Sequence, residues 1–302
     1  MLIAAAALVF AACSNENDPA DNGPVAAQIN AEIGDMTARA SGTAWASTDA
    51  IGVSVVSVEN SGKTTGTNVK YNKTETAWET GSPIYFEDLK VVTFRAYYPF
   101  QGKSGTDAGT ISKTISANDQ TAAEQPKIDF MFATGATASK DNPDVSFTSE
   151  HKFKHCMSQL TLTFKAGTGV TLPGKLTGYT LKGLIMDGTF NTETGVAKAK
   201  TEGSATADLS FTFTVSGGDP YTAAPVILYP QSATDNKFNI EVTVEGEIFK
   251  ATLALPRETE YKFKAGVNLT YTVTINKTGL GISSADIEGW TSVTGTDGTA
   301  EM

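Results

Sequence analysis

Asp49-Ala50-Ile51-Gly52-Val53-Ser54-Val55-Val56-Ser57-Val58 is a β-branched run bounded by turn residues. Branched side chains are stiff at χ1 and pack well on a pleated surface, so the run reads as a strand. The same pattern recurs outward in both directions. Upstream, Ile29, Ala31 and Ile33 alternate with polar residues. Downstream, strands are expected over 68–72, 84–86, 91–98, 111–115 and 128–133. The turn signals Ser61-Gly62, Gly81-Ser82-Pro83, Gly102 to Gly105 and Asn142-Pro143 separate them. Within 91–98, Val92, Phe94 and Ala96 fall on one face, and Pro99 closes the strand.

A second series begins near Val145. Phe153, Leu160, Leu162 and Phe164 mark one long strand. Its apolar phase changes near Ser158, which predicts a bulge or a strand buried on both faces. Further strands are expected over 179–186, 207–215, 224–229, 237–245, 247–255, 269–276 and 282–290. Val244-Glu245-Gly246-Glu247-Ile248 predicts a tight hairpin, with Gly246 supplying the positive φ. No segment carries a 3.6-residue apolar period. Turns every 8–15 residues or so predict an all-β protein of two sandwiches in series, about 125 and 150 residues each. The expected boundaries are a signal segment 1–13, a flexible tether 14–28, an N-terminal sandwich 29–148, and a C-terminal sandwich with a polar tail 149–302.

The 302 residues are 40% hydrophobic and only 19% charged, with a net charge of -10. Thr, Ser, Gly and Ala make up the difference, a mix that favours strands and turns over helices. A chain this acidic cannot neutralise a phosphate backbone, so nucleic acid is excluded as a partner.

Candidate chemistry is sparse. His151-Lys152-Phe153-Lys154-His155-Cys156 tempts a metal reading. On a strand, however, the two histidines lie about 13 Å apart at ~3.3 Å per residue, beyond any common ion. Ser61-Gly62-Lys63-Thr64 resembles the end of a phosphate loop, but Ser57 stands where the first glycine belongs. Gly167, Gly169 and Gly174 are misspaced for a dinucleotide loop, and Asp18, Asp21 and Asn22 miss a calcium-loop register. No distant histidine is available for a Ser–His–Asp triad. No catalytic activity, cofactor or metal is expected. The aromatics Trp45, Trp78, Tyr97, Tyr98, Tyr229 and Trp290 have two readings, a glycan-stacking platform or core packing, and core packing is the commoner.

The N-terminus carries its own signal. Met1 to Ala12 is apolar and ends in two small residues before Cys13, followed by Ser14-Asn15-Glu16-Asn17-Asp18. About 12 apolar residues are too few to span a bilayer and suit a secretory signal. The arrangement resembles a bacterial lipobox, with Phe10 where Leu is more usual. It implies that Cys13 is acylated, and the polar run after it is similar to the surface-export signal of Bacteroidetes lipoproteins. No Lys or Arg precedes the apolar run, so the true start is expected upstream of Met1. With Cys13 taken by lipid, Cys156 is alone and no intramolecular disulfide is expected.

Several stretches together resemble the fimbrillin-like family of Bacteroidetes surface lipoproteins, the type V pilus proteins. They are 39–45 (RASGTAW) with 49–53 (DAIGV), 94–100 (FRAYYPF), 129–133 (DFMFA), 145–147 (VSF) leading into 155–160 (HCMSQL), and Phe263 with Ala265-Gly266, 271–275 (YTVTI), then Gly279-Leu280, Ile287 and Trp290. They fall in the family's order from about Ile33 to Trp290. The resemblance implies two tandem transthyretin-like Greek-key β-sandwich domains and a structural or adhesive pilus subunit. It implies export as an outer-membrane lipoprotein, then proteolysis that removes an N-terminal strand so that another pilin subunit's strand can enter the groove. Arg39, followed by Ala40, is the candidate cut, because it is the only arginine between Cys13 and Trp45. The strand 29–33 would be the removable one, and the chain after Thr278 a candidate donor. The implied partners are other pilin subunits, the outer membrane through the lipid, and host or microbial surface ligands. Two alternatives stand beside this reading: a monomeric glycan-binding surface lipoprotein and a non-polymerising pilus anchor.

Overall fold

The computed structural model describes residues 23–34, 44–172, 176–201, 206–212, 218–277 and 279–286. Its regular structure is strand throughout, with only 3-10 turns between strands. The Ala50–Val58 strand lies inside a six-stranded antiparallel sheet. The order is Lys154–His155, Met131–Ala138, Val92–Tyr98, Ala50–Val58, Val69–Lys73, Trp78–Glu79. Ile51 and Val53, and Phe94 and Ala96 opposite, have no exposed surface. A side chain at Gly52 would collide with the Tyr97 ring and with Asn68 Oδ1, 2.5 Å away. Glycine is there because tyrosine packs across the strand.

The second layer over this core is assembled from short pieces. Val25–Ala26 pairs antiparallel with Tyr85–Phe86, and Gln28–Ala31 pairs parallel with Asp144–Phe147. Ala27, Ile29, Phe86, Val145, Phe147 and Phe153 close the core from this side.

A second core lies between two further sheets. One has the order Tyr221–Thr222, Ser158–Ala166, Asn268–Asn276, Gly279–Asp286, with Val226–Leu228 also on Ser158–Ala166. The central pair is parallel. The other runs Ala207–Thr212, Leu176–Leu184, Lys237–Val244, Glu247–Ala254, all antiparallel. Its hairpin turns at Glu245 and Gly246, with φ of 52° and 86°, the left-handed pair that a two-residue turn needs.

The expected long strand from Phe153 to Phe164 is two strands in two sheets. Lys154–His155 edges the first sheet, and Ser158–Ala166 belongs to the second half. The phase change at Ser158 marks this crossover, and Ser158, Gln159 and Leu160 are all buried.

A third core joins the halves. Thr110–Thr114, from the first half, pairs with Asp187–Asn191, which also holds Ala197–Ala199. Phe130 stacks on Phe190 at 4.7 Å, and Tyr97, Ile128, Met157 and Tyr229 pack around them. Gln120 acts as a surrogate strand: its Nε2 donates to Ile227 O and its Oε1 accepts from Ile227 N, both at 2.8 Å.

Candidate assembly groove

The N-terminal segment crosses a gap that no other strand fills among the described residues. Its backbone bonds first to one neighbour, then to another. Val25 and Ala26 pair with Phe86 and Tyr85, and Ala27 N donates to Ile84 O at 2.8 Å. From there Gln28 N donates to Pro143 O at 2.9 Å and Glu32 N to Phe147 O at 3.0 Å. Phe153 N donates to Glu32 O and Gly34 N to Phe153 O. A parallel bridge pairs Ile33 with Phe153.

Side chains alternate as a half-buried strand should. Ala27, Ile29 and Ile33 are buried, while Gln28, Asn30 and Glu32 are exposed. Burying an isoleucine contributes about 1.5–3 kcal/mol, and each net backbone hydrogen bond ~0.5–1.5 kcal/mol. The segment is thus one of the fold's own strands, held by side-chain burial and backbone hydrogen bonds. The expected strand 29–33 corresponds to Gln28–Ala31 with the bridge at Ile33.

Trp45, further along the chain, fastens the segment by its indole. Its Nε1 donates to Ala31 O at 2.9 Å. Its ring sits edge-on to Trp78, Tyr98 and Phe153, at centroid distances of 5.1, 5.3 and 5.1 Å. Tyr98 in turn donates to Asp49 Oδ1 at 2.9 Å. The two sequence stretches 49–53 and 94–100 therefore meet as one packed unit. The groove walls at Ile84–Phe86 and Pro143–Phe147 were not foreseen as a site. The sequence marked 84–86 as a strand and 145–147 as a family stretch, without showing that the two flank one segment.

Cys13, Arg39 and Ala40 lie outside the described residues. Arg39 falls in the sequence between Gly34 and Ala44. The strand expected over 282–290 is described as Gly279–Asp286, bonded to Asn268–Asn276 at the edge of its own sheet.

The other singled-out residues have structural partners. His151 sits in a 3-10 turn and its Nδ1 lies 3.0 Å from Thr134 O. His155 is on a strand, buried against Asp129 at 2.9 Å. Burial, and then the charge of Asp129, push the Cys156 thiol up to about 12. Trp78, Tyr97, Tyr98 and Tyr229 are all at most 9% exposed and Trp45 packs on the first core, so these five form no stacking platform. Trp290 lies outside the described residues.

The chain is similar in sequence and fold to known proteins. The protein described as "Putative fimbrium subunit Fim1C" of Bacteroides uniformis is 31% identical over 303 residues, spanning 95% of this chain and 92% of the relative. A crystal structure described as a "putative cell adhesion protein" from Bacteroides ovatus matches with a TM-score of 0.69 at 31% identity, over 89% of this chain and 98% of that one. A second so described, from Bacteroides uniformis, matches with a TM-score of 0.65 at 27% identity, over 91% and 100%. A model of the fimbrillin-like family matches residues 38–290, and with the shared all-β fold this places the chain in the fimbrillin-like family.

Proposed function

We propose that the protein is a structural and adhesive subunit of a cell-surface pilus. It is exported as a lipoprotein acylated at Cys13, cut at Arg39-Ala40, and polymerised by strand exchange. The observation that carries this reading is the inserted segment 25–34. It completes a layer of the first core, its apolar residues alternate, and the candidate cut follows it directly in the sequence. Loss of that strand would leave a bare apolar groove between Tyr85–Phe86 and Asp144–Phe147, flanked by unpaired backbone groups. Such an edge binds a strand from another chain. A cell-surface place for the subunit follows from the same reading, and other pilins are its partners. The relatives described as fimbrial and cell-adhesion proteins support it. The candidate donor lies in or after Gly279–Asp286.

The test is the N-terminal sequence and intact mass of protein sheared from cells. A mature chain beginning at or near Ala40 and running in high-mass ladders is the expected result. A chain that keeps acylated Cys13 and never ladders would overturn strand exchange and leave the non-polymerising anchor.

A further inference from the structure

The backbone passes from the first half to the second in one short step. Lys154–His155 edges the first sheet, and Cys156 N donates to Phe130 O at 2.8 Å. Strand Ser158–Ala166 begins two residues later. Tension carried by the backbone therefore enters the second half at the N-terminal end of that strand. Its neighbour Asn268–Asn276 runs parallel to it, in unbroken register from Gln159 beside Asn268 to Ala166 beside Ile275.

Both ends of this pair are pinned. At one end Gln159 N donates to Val267 O at 2.9 Å, and Ser158 Oγ donates to the same oxygen at 3.3 Å. At the other end Gly167 N donates to Ile275 O at 2.9 Å and Lys277 N to Thr168 O at 3.0 Å. Thr168 N donates to Asn276 Oδ1 at 2.9 Å. On the core side Leu160, Leu162 and Phe164 join Leu269, Val273 and Ile275 in one cluster. Further strands flank the pair on both sides, so neither member is an edge strand.

Hydrogen bonds between strands lie roughly across the strand direction. Parallel strands pulled from opposite ends must slide, which loads every bond at once. Strands pulled from a shared end peel, and their bonds fail one after another. Forced unfolding is governed by the unfolding rate, which is slowest when many bonds must break together. The hairpin Lys237–Val244 with Glu247–Ala254 offers a contrast. Its ladder is equally long, but its two outer ends, Lys237 and Ala254, lie side by side and peel under load.

We propose that Ser158–Ala166 and Asn268–Asn276 form a shear clamp that carries tension between the first half and the chain leaving Asn276. Its use in a pilus under pull rests on the subunit reading above, whereas the clamp itself rests on strand direction and register.

The full chain carrying Cys13→Ser is stretched between two handles on introduced cysteines at one loading rate. The Cys156 thiol is buried and takes no handle. Lys154→Cys with Lys277→Cys loads the pair from opposite ends, and Lys154→Cys with Lys264→Cys loads it from the shared end. All three lysines are exposed. The first rupture force is expected to be at least twofold higher in the opposite-end geometry. A ratio below twofold overturns the proposal. A thermal midpoint for each variant confirms folding. Glu150→Cys, at another exposed position of the first half, replaces Lys154→Cys if that variant misfolds. A ratio below twofold would leave the mature N-terminus and its ladders intact as evidence for strand exchange, and a chain that never ladders would leave the clamp standing.

Discussion

The two sandwich cores are closed in different ways. Over the second core lies a continuous four-stranded sheet whose hairpin strands, Lys237–Val244 and Glu247–Ala254, pair along eight residues each. Over the first, the matching layer is pieced from a two-residue antiparallel pair and a four-residue parallel pair, both made by the chain's N-terminal segment. Long local hairpins close at low entropic cost. A segment that reaches across to Asp144–Phe147 has no local turn to hold it. The first half is therefore closed by shorter and less local pairings than the second.

The most severe way to break this contrast is to start the chain at Ala40. Its loss is expected to exceed about 5 kcal/mol, from two buried isoleucines and the backbone bonds of the segment. Added peptide 23–34 should restore the thermal midpoint by binding; a truncated chain as stable as the parent would end the argument. Next, Ile29→Ala and Ile240→Ala should each cost about 2–5 kcal/mol, since both side chains are buried. Only Ile29→Ala should speed exchange of the segment for a labelled 23–34 peptide, read as incorporation over time. Equal exchange in the two variants would mean that the halves open together. A smaller effect tests the joint between halves. Gln120→Ala strips both partners from Ile227, with an expected cost of about 1–3 kcal/mol and earlier hydrogen exchange at Ile227. Gly52→Ala should cost a similar ~1–3 kcal/mol by overpacking, as Tyr97 and Asn68 must move. Its signature is a changed Tyr97 environment, with the second core's amides unaffected.

The smallest effect concerns reactivity. With its pKa at about 12, Cys156 should stay unmodified by a thiol reagent at pH 8 in the folded chain. Folding here favours the neutral thiol. That contribution is complete below the unfolded thiol's pKa and fades as pH rises towards 12. Rapid labelling under native conditions would show that the joint between halves opens easily.

Much of the architecture was legible because strands announce themselves over short distances. The Ala50–Val58 run, the alternation through Val92–Tyr98, and Gly246 between two alternating strands each encode local structure within ten residues or so. Other elements were not legible. Asp187–Asn191 and Ala197–Ala199 are short, and their pairing with Thr110–Thr114 depends on a partner far along the chain. Phe153 to Phe164 read as one strand because apolar content continues across the crossover; only the broken phase at Ser158 betrayed a change of sheet. At the candidate site, the sequence pointed to Ile29 and Ile33 through their alternation. It could not supply the walls that receive them.

The amino-acid order by itself determined the all-β class, most strand positions, the hairpin at Gly246 and the family motifs, since each rests on side-chain periodicity or a local turn. The tertiary structure alone decided which strands are neighbours. It set the N-terminal segment parallel to Asp144–Phe147 and hung Trp45 on Ala31. It joined the halves through Gln120. Pairing of distant strands depends on which groove remains open and apolar when the rest has packed, and no local pattern carries that information.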